Sequence, residues 1–431
     1  MSSQAYWPMR EPHTVSVRLR SMVSLQRMRR YVSRFTVAVV IGQILAMLGL
    51  TMVESFRKKR RKSAKFPTST PTPLQVDDDE IHVYTYGQDL FEAMVESIDD
   101  AKERVFFETF IWKSDEWGQR IKDALIRAAE RGVEVYVCWD AFGNMVVNPR
   151  FYTFPDMPNL HIFRFPLVTG LFGPANWGRN HRKILTVDGK TGFLGGYNIG
   201  SLYATGWRDT HAQVTGPSVA EIDNAYIDFW NLHRRKGLPV IDDNPPRGWF
   251  GRIRLHRNTP RISVYPIRNM YLEAIDRANN RLWLTHAYLI PDDGLVAALR
   301  QAARRGVDVR IIIPERSNHI VADWLSRGYY TRLLRSGIRL FMYQDAMVHS
   351  KTATIDSVWS TIGTANLDRL SLVGNYEVNL DITDEALAKH MEEVFLMDEA
   401  NCYELKLDEW ERRSIVAKAT EWFLSPWRPI F

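Results

Sequence analysis

The sequence predicts an α/β protein of two lobes related by a pseudo-twofold axis, each a mixed sheet flanked by helices, preceded by one N-terminal transmembrane helix. Three observations predict it. Two stretches of the body share a strand–helix–strand pattern, one polar motif recurs 168 residues further along, and nineteen uncharged residues stand near the N-terminus.

At 431 residues the chain is long enough for two packed units or one large two-lobed domain. Hydrophobic content of 45% and charged content of 25% are ordinary for a globular protein. The net charge of +6 is unevenly spread. Residues 1–65 hold fourteen Lys and Arg against Glu11 and Glu54, a net of +12, which leaves −6 for the remainder. A slightly acidic body argues against a nucleic-acid-binding surface. Two cysteines, Cys138 and Cys402, make neither a disulfide framework nor a metal cluster. Cys138 lies in an apolar run and reads as a buried structural thiol.

The apolar segment FTVAVVIGQILAMLGLTMV spans 35–53 with only Gln43 strongly polar. As a helix it would extend roughly 28 Å, near the thickness of a bilayer's hydrocarbon core. Arg27, Arg29, Arg30 and Arg34 precede it, and Arg57, Lys58, Lys59, Arg60, Arg61 and Lys62 follow. A secretory signal would want a shorter apolar core and small residues at a cleavage site, so an uncleaved anchor is the expectation. A removed segment, such as an organelle transit peptide, or a buried one is the alternative. The denser basic cluster after the segment places the catalytic part on the cytoplasmic face and attracts anionic headgroups. The expected organisation is 1–34 basic segment, 35–53 transmembrane helix, 54–78 basic and Pro/Thr-rich linker and 79–240 first lobe. A connecting segment at 241–260, the second lobe at 261–400 and an amphipathic tail at 401–431 complete it.

Two stretches then read alike. AKERVFFETFIW and RIKDALIRAAERGVEVYVCWD end at Asp140; ANNRLWLTHAYLI and GLVAALRQAARRGVDVRIIIPE end at Glu315. Each is an apolar strand, an amphipathic helix ending near Arg-Gly, and a β-branched strand. Gly132 and Gly306 sit where a helix C-cap needs positive φ. Such units build a parallel or mixed sheet with covering helices.

The first copy continues NHRKILTVDGKTGFLGGYNIG and the second VHSKTATIDSVWSTIGTANLD. His181, Lys183, Asp188, Gly195, Gly196 and Asn198 match His349, Lys351, Asp356, Gly363, Thr364 and Asn366, each pair 168 apart. Asp209 in GWRDTH and Glu377 in NYEVNL keep the same displacement. One H-x-K-x-x-x-x-D is a weak motif; two in register, each trailed by Gly, Asn and an acid, are not chance. His and Lys two apart on a strand face the same way, and the apolar stretch after them ends at Asp in a turn.

Brought together, two His, two Lys and two Asn make a pocket suited to a phosphodiester. Lys183, Lys351, Asn198 and Asn366 hold the non-bridging oxygens and stabilise charge building in the transition state. One neutral imidazole attacks phosphorus while the other, protonated, donates to the leaving oxygen. Asp209 and Glu377 orient the rings. This chemistry calls for no metal or other cofactor.

The duplicated HxKxxxxD with trailing GG/GTxN resembles the phospholipase D superfamily, from about Ile81 to Glu399, so the two lobes are expected to be phospholipase D-like. NHRKI, GGYNIG, WRDTHAQVTGP, VHSKTATID, GTANLD and NYEVN are most similar to bacterial-type cardiolipin synthases. The resemblance implies a covalent phosphohistidine, with His181 as nucleophile and His349 as general acid and base. It also implies that Asp188 and Asp356 support the fold, standing behind the reacting groups, rather than act chemically. Many members carry Arg before the Ser that follows GTANLD, where this chain has Leu370 before Ser371, which bears on acceptor specificity.

The expected activity is transfer of a phosphatidyl group between two phosphatidylglycerol molecules to give cardiolipin and glycerol. The alternatives are hydrolysis to phosphatidic acid, a nuclease-like phosphodiesterase, and a non-catalytic lipid-binding scaffold. Expected partners are anionic phospholipids such as phosphatidylglycerol and the membrane, with no nucleic acid; oligomeric state is left open. PLVTGLFGPANW (166–177) reads as a membrane-dipping entry or a packed loop, and NPPRGWFGRIRL (244–255) similarly. The C-terminal Trp410, Ile415, Ala419, Trp422 and Phe423 fit an interfacial or a docked helix. Asp140 with Gly143 reads as a turn rather than a substrate contact.

Overall fold

The apolar runs of the repeats become the central strands of two sheets in a computed structural model that describes residues 65–169, 178–248 and 251–428, together with 32–34, 36–38, 41–43, 45, 46 and 49. In the first sheet these strands are β1 (Leu74–Val76), β2 (Asp79–Tyr84), β3 (Arg104–Thr109), β4 (Glu134–Asp140), β5 (Leu160–Phe165), β6 (Ile184–Val187) and β7 (Thr191–Gly195). The short β8 (Trp207–Arg208) lies outside this sheet, and β9 (His211–Thr215) completes it. The order is β1-β2-β9-β7-β6-β3-β4-β5.

The second sheet comprises β10 (Ile253–Asn258), β11 (Arg281–His286), β13 (Asp308–Pro314), β14 (Arg339–Tyr343), β16 (Lys351–Ile355), β17 (Trp359–Gly363), β19 (Glu377–Thr383) and β20 (Cys402–Leu405). Two-residue strands β12 (Leu289–Ile290), β15 (Met347–Val348) and β18 (Leu367–Asp368) stand outside it. Its order, β10-β19-β17-β16-β11-β13-β14-β20, repeats seven positions of the first sheet. The duplication is therefore structural, and each sheet is mixed as expected.

Within each lobe the parallel pairs are joined by the helices Glu116–Glu130 and Asp293–Arg304. Asp115 and Asp292 accept from the backbone N–H groups of Gly118 and Leu295, capping the helix starts. Both helices stop before glycines at φ 90° (Gly132) and 94° (Gly306), as the Arg-Gly signal requires.

The lobes do not have separate interiors. One apolar cluster takes Ile184, Leu194 and Val214 from the first sheet and Ile362, Leu380 and Ile382 from the second. Two short parallel pairings stitch the halves where the motifs meet: β8 to β15, and a bridge between Asn180 and Tyr376. Residues 61–431 accordingly form one compact unit.

Several boundaries shift. β1 lies in the stretch read as linker, β10 in the stretch read as connector, and β20 opens the stretch read as tail, yet each joins a sheet edge. The rest of the tail docks in part. Trp410 and Leu424 are buried, and Glu421 pairs with Arg327 and Arg413, while Ile415, Val416, Ala419 and Trp422 face outward. Much of the 35–53 segment lies outside the described residues; its described positions are helical. Among the described residues no helix is long and apolar enough to cross a membrane.

The motif aspartates have a backbone task. Asp188, at φ 54°, accepts from the N–H groups of Lys102, Glu103 and Arg104, and Asp356, also at φ 54°, from those of Asn279, Asn280 and Arg281. They sit at the ends of β6 and β16 remote from the lysines, so the support they lend is to the strand entry of each lobe and not to the motif histidines and lysines. Asp356→Ala, which strands three donors, should cost about 1–3 kcal/mol in urea denaturation.

Candidate active site

The two histidines stand just ahead of β6 and β16 rather than within them, and each is pinned by the opposite lobe. The backbone N–H of His181 donates to the carbonyl of Tyr376 at 3.1 Å, and that of His349 to the carbonyl of Arg208 at 2.6 Å. The next residue after each carbonyl supplies the acid. His181 Nδ1 lies 3.0 Å from Glu377 Oε2, and His349 Nδ1 lies 2.6 Å from Asp209 Oδ2. The orienting carboxyl groups are thus exchanged between lobes. With Nδ1 of each ring turned to its acid, Nε2 is the atom left for chemistry.

The lysines fold back beside their own histidines. Lys183 Nζ donates to the His181 carbonyl at 2.5 Å; Lys351 Nζ lies 2.9 Å from His349 Nδ1 and also donates to the His349 carbonyl. Asn198 and Asn366 are buried. The amide oxygen of Asn198 accepts from the N–H of Ile111, leaving its NH2 as a donor, whereas the amide oxygen of Asn366 is buried without a partner. The two histidines, the two lysines, Asp209 and Glu377 therefore gather in one place.

The Gly/Thr difference in the trailing motif has a steric cause. A Cβ at Gly196 would lie 2.0 Å from the Asp209 carboxylate, so only glycine lets that acid approach. At the matching position Thr364 donates its hydroxyl to Glu377 Oε2 at 2.5 Å.

Burial sets the electrostatics. It drives the His181 imidazole well below its usual range, helped by Lys183 and Lys351, and lowers His349 to about 3 with help from Lys351. Burial also lowers Lys183 to about 7, assisted by the like charge of Lys351, and Lys351 itself to about 8. Both imidazoles are thereby held toward their neutral forms. The acids differ. Burial raises Glu377 to about 8, whereas for Asp209 the same burial is outweighed by Lys351 and His349, which hold it below the usual carboxylate range.

Aromatic rings and buried ion pairs frame the pocket, and the sequence reading missed them. Phe110 sits edge-on to His181 at 4.9 Å between centroids, and Trp207 packs 5.0 Å from His349. Arg182, between the first His and Lys, pairs with Glu108 at 2.5 Å. Arg208 pairs with Asp398 at 2.8 Å across the lobes, and also donates to Thr210 and Ser350. Breaking such a buried pair costs about 3–5 kcal/mol. The repeat does not advertise these residues, because the counterparts of Arg182, Trp207 and Arg208 are Ser350, Asn375 and Tyr376.

Asp140 takes the turn role expected of it. Its carboxylate accepts from the N–H groups of Phe142 and Gly143 and, on the other oxygen, from Asn180 just before His181. Cys138 is buried as expected. Leu370 is exposed, while Ser371 is buried and donates its backbone N–H to Asp368. Of the apolar 166–177 segment, 170–177 lie outside the described residues, as do 249 and 250 of the 244–255 segment.

The unequal acids predict unequal variants. Asp209→Asn should lower kcat about a hundredfold or more, whereas Glu377→Gln, a neutral isostere of a carboxyl already pushed toward its neutral form, should cost under about tenfold. Steady-state kinetics at neutral pH checks both. Because the folded-state value of Glu377 is raised from 4.5 to about 8, its contribution to stability is present below 4.5 and lost as pH rises through about 8. Urea denaturation across that window should show a smaller decline for Glu377→Gln than for the parent.

Comparison with known proteins follows the same outline. The family model described as cardiolipin synthase, PLD-like domain, matches residues 94–228 and 271–398. Cardiolipin synthase A of Pseudomonas fluorescens is 36% identical over 342 residues, 77% of this chain and 71% of the relative. A cardiolipin synthase of Clostridium perfringens is 32% identical over 371 residues, 83% of this chain and 77% of the relative. The fold also resembles a phosphatidylserine synthase of Haemophilus influenzae, at TM-score 0.62 and 16% identity, covering 85% of this chain and 95% of that one. With both repeats inside the matched segments and the motif complete in each, the chain belongs to the phospholipase D-like family of cardiolipin synthases.

Proposed function

We propose that this protein is a phosphatidyltransferase that makes cardiolipin from two phosphatidylglycerol molecules. The observation that carries the reading is the pair of imidazoles, each oriented through Nδ1 by an acid of the opposite lobe, with two lysines beside them. The relatives that match most of this chain are named cardiolipin synthases, which supports the lipid class.

His181 Nε2 attacks the phosphorus of the first lipid, and the bond to its headgroup glycerol oxygen breaks. His349 delivers the proton that this oxygen needs, so glycerol leaves neutral and a phosphatidyl–His181 bond remains. A hydroxyl of the second phosphatidylglycerol then gives its proton to His349 while its oxygen attacks phosphorus, releasing His181 and cardiolipin. The ionised Asp209 favours the protonated form of His349 against the burial that lowers it, and the more neutral Glu377 leaves His181 a free base; both support this division of labour. Lys183, Lys351, Asn198 and Asn366 hold the non-bridging oxygens. The buried His349 ring and the low exposure of the His181 side chain, 12%, support a lipid hydroxyl over water as acceptor.

We further propose that 35–53 anchors the chain in the membrane with the catalytic body on the cytoplasmic side. Its nineteen uncharged residues and the basic cluster 57–62 support both points. The full chain should stay with the membrane pellet after an alkaline carbonate wash; release by that wash would remove the anchor.

The decisive experiment supplies labelled phosphatidylglycerol to the full chain in detergent and separates the products. Cardiolipin and free glycerol should form, and His181→Ala and His349→Ala should each lose about 1,000-fold or more in kcat. Phosphatidic acid alone would make the enzyme a hydrolase, and no turnover of lipid would overturn the assignment.

A further inference from the structure

The turn after β4 presents apolar side chains to solvent from a backbone that is firmly held. Within 141–147, Ala141, Asn144 and Val147 are buried, while Phe142 is 52%, Met145 56% and Val146 86% exposed. Asp140 caps the turn by accepting from Phe142 and Gly143. Asn144 accepts from the N–H of Trp112 at 2.7 Å and donates to the carbonyls of Phe110 and Asp140. A Cβ at Gly143 would come within 2.5 Å of the Phe110 carbonyl, so the turn lies hard against the segment that walls His181. This is a built surface, and three large apolar groups aimed outward from it are not the scattered exposure usual on loops.

Its position ties it to the chemistry. Phe142 packs 6.0 Å from the guanidinium of Arg179, two residues before His181, and Arg179 donates to the carbonyl of Pro166. Leu167 and Val168, next along after β5, are exposed as well, and the parallel pairing of β4 with β5 sets the two turns side by side. Arg150 and Arg164 stand exposed close by in sequence, offering positive charge to anionic headgroups.

We propose that Phe142, Met145 and Val146, continued by Leu167 and Val168, form a rim that inserts into an anionic bilayer and admits the donor phosphatidylglycerol on the His181 side of the pocket. The proposal rests on the lipid reading above. Its occupant is the bilayer surface, for two reasons: the rim adjoins the histidine that must meet a lipid phosphate, and its apolar tips carry basic neighbours, the pattern that interfacial anchoring requires. A preformed turn also loses little conformational freedom on insertion.

The test uses the full chain reconstituted in vesicles of phosphatidylglycerol and phosphatidylcholine. Val146→Cys in a Cys402→Ser background carries an environment-sensitive fluorophore, and Val358→Cys, in the turn between β16 and β17, serves as the control. The label at 146 should shift to the blue and be quenched by lipids brominated in their chains; the label at 358 should not. The triple variant Phe142→Ser, Met145→Ser, Val146→Ser should raise the interfacial KM for bilayer phosphatidylglycerol at least about tenfold, the loss expected from removing this much buried apolar surface. Its turnover of a short-chain phosphatidylglycerol kept monomeric in water should match the parent's. An unquenched label at 146, or equal losses on bilayer and monomeric substrate, would overturn the proposal. If the parent turned over no phospholipid, the function reading would fall while the label at 146 still decided the rim.

Discussion

Everything at this site depends on an exchange of hydrogen bonds across the pseudo-twofold axis. Each motif histidine is fixed twice by the other lobe, by a backbone carbonyl and by the carboxyl of the following residue. Neither lobe holds a motif histidine together with its acid. That constraint accounts for the interior that both sheets share, since a shift of one lobe against the other would move each ring off its acid. Packed cores resist such sliding, because interdigitated side chains have no continuous path between arrangements. The short cross-lobe pairings at β8–β15 and Asn180–Tyr376 lie where that resistance matters.

The two half-sites share geometry but not electrostatics. Asp209 nests against Gly196 and stays ionised, while Glu377 is one methylene longer, meets the Thr364 hydroxyl and is driven toward its neutral form. Duplication supplied a symmetric frame, and small departures from symmetry give the two rings acids of opposite tendency, one held ionised and the other driven toward its neutral form. The ion pairs behind the rings are asymmetric too. Arg182–Glu108 stays within the first lobe, whereas Arg208–Asp398 crosses between lobes and bears on the carbonyl that holds His349. Such pairs contribute little net stability compared with apolar packing, but they fix a single arrangement of the strands around them as long as both partners remain.

Much of this was legible in the residues themselves. The common displacement of 168 identified His181, Lys183, Asn198 and Asp209 with their partners, and the seven shared strand positions bear out the two-lobed reading. Gly132 and Gly306 could be read as helix stops because positive φ is costly for any side chain. Less legible were β1, β10 and β20, edge strands whose alternation is short or interrupted by charge, so they blended into linker, connector and tail. Phe110, Trp207 and the two buried arginines escaped notice because their places in the other repeat hold different residue types.

The sequence by itself determined the two-lobed α/β fold class and the paired histidines, lysines, asparagines and acids, because these follow from local periodicity and the count of a repeat. Only the tertiary structure decided which acid serves which histidine. Strand alternation says which face a side chain takes, but partners 140 and 196 residues apart meet only through the packing of one sheet against the other. The same holds for the ionisation of those acids, which burial sets, and burial belongs to the assembled fold.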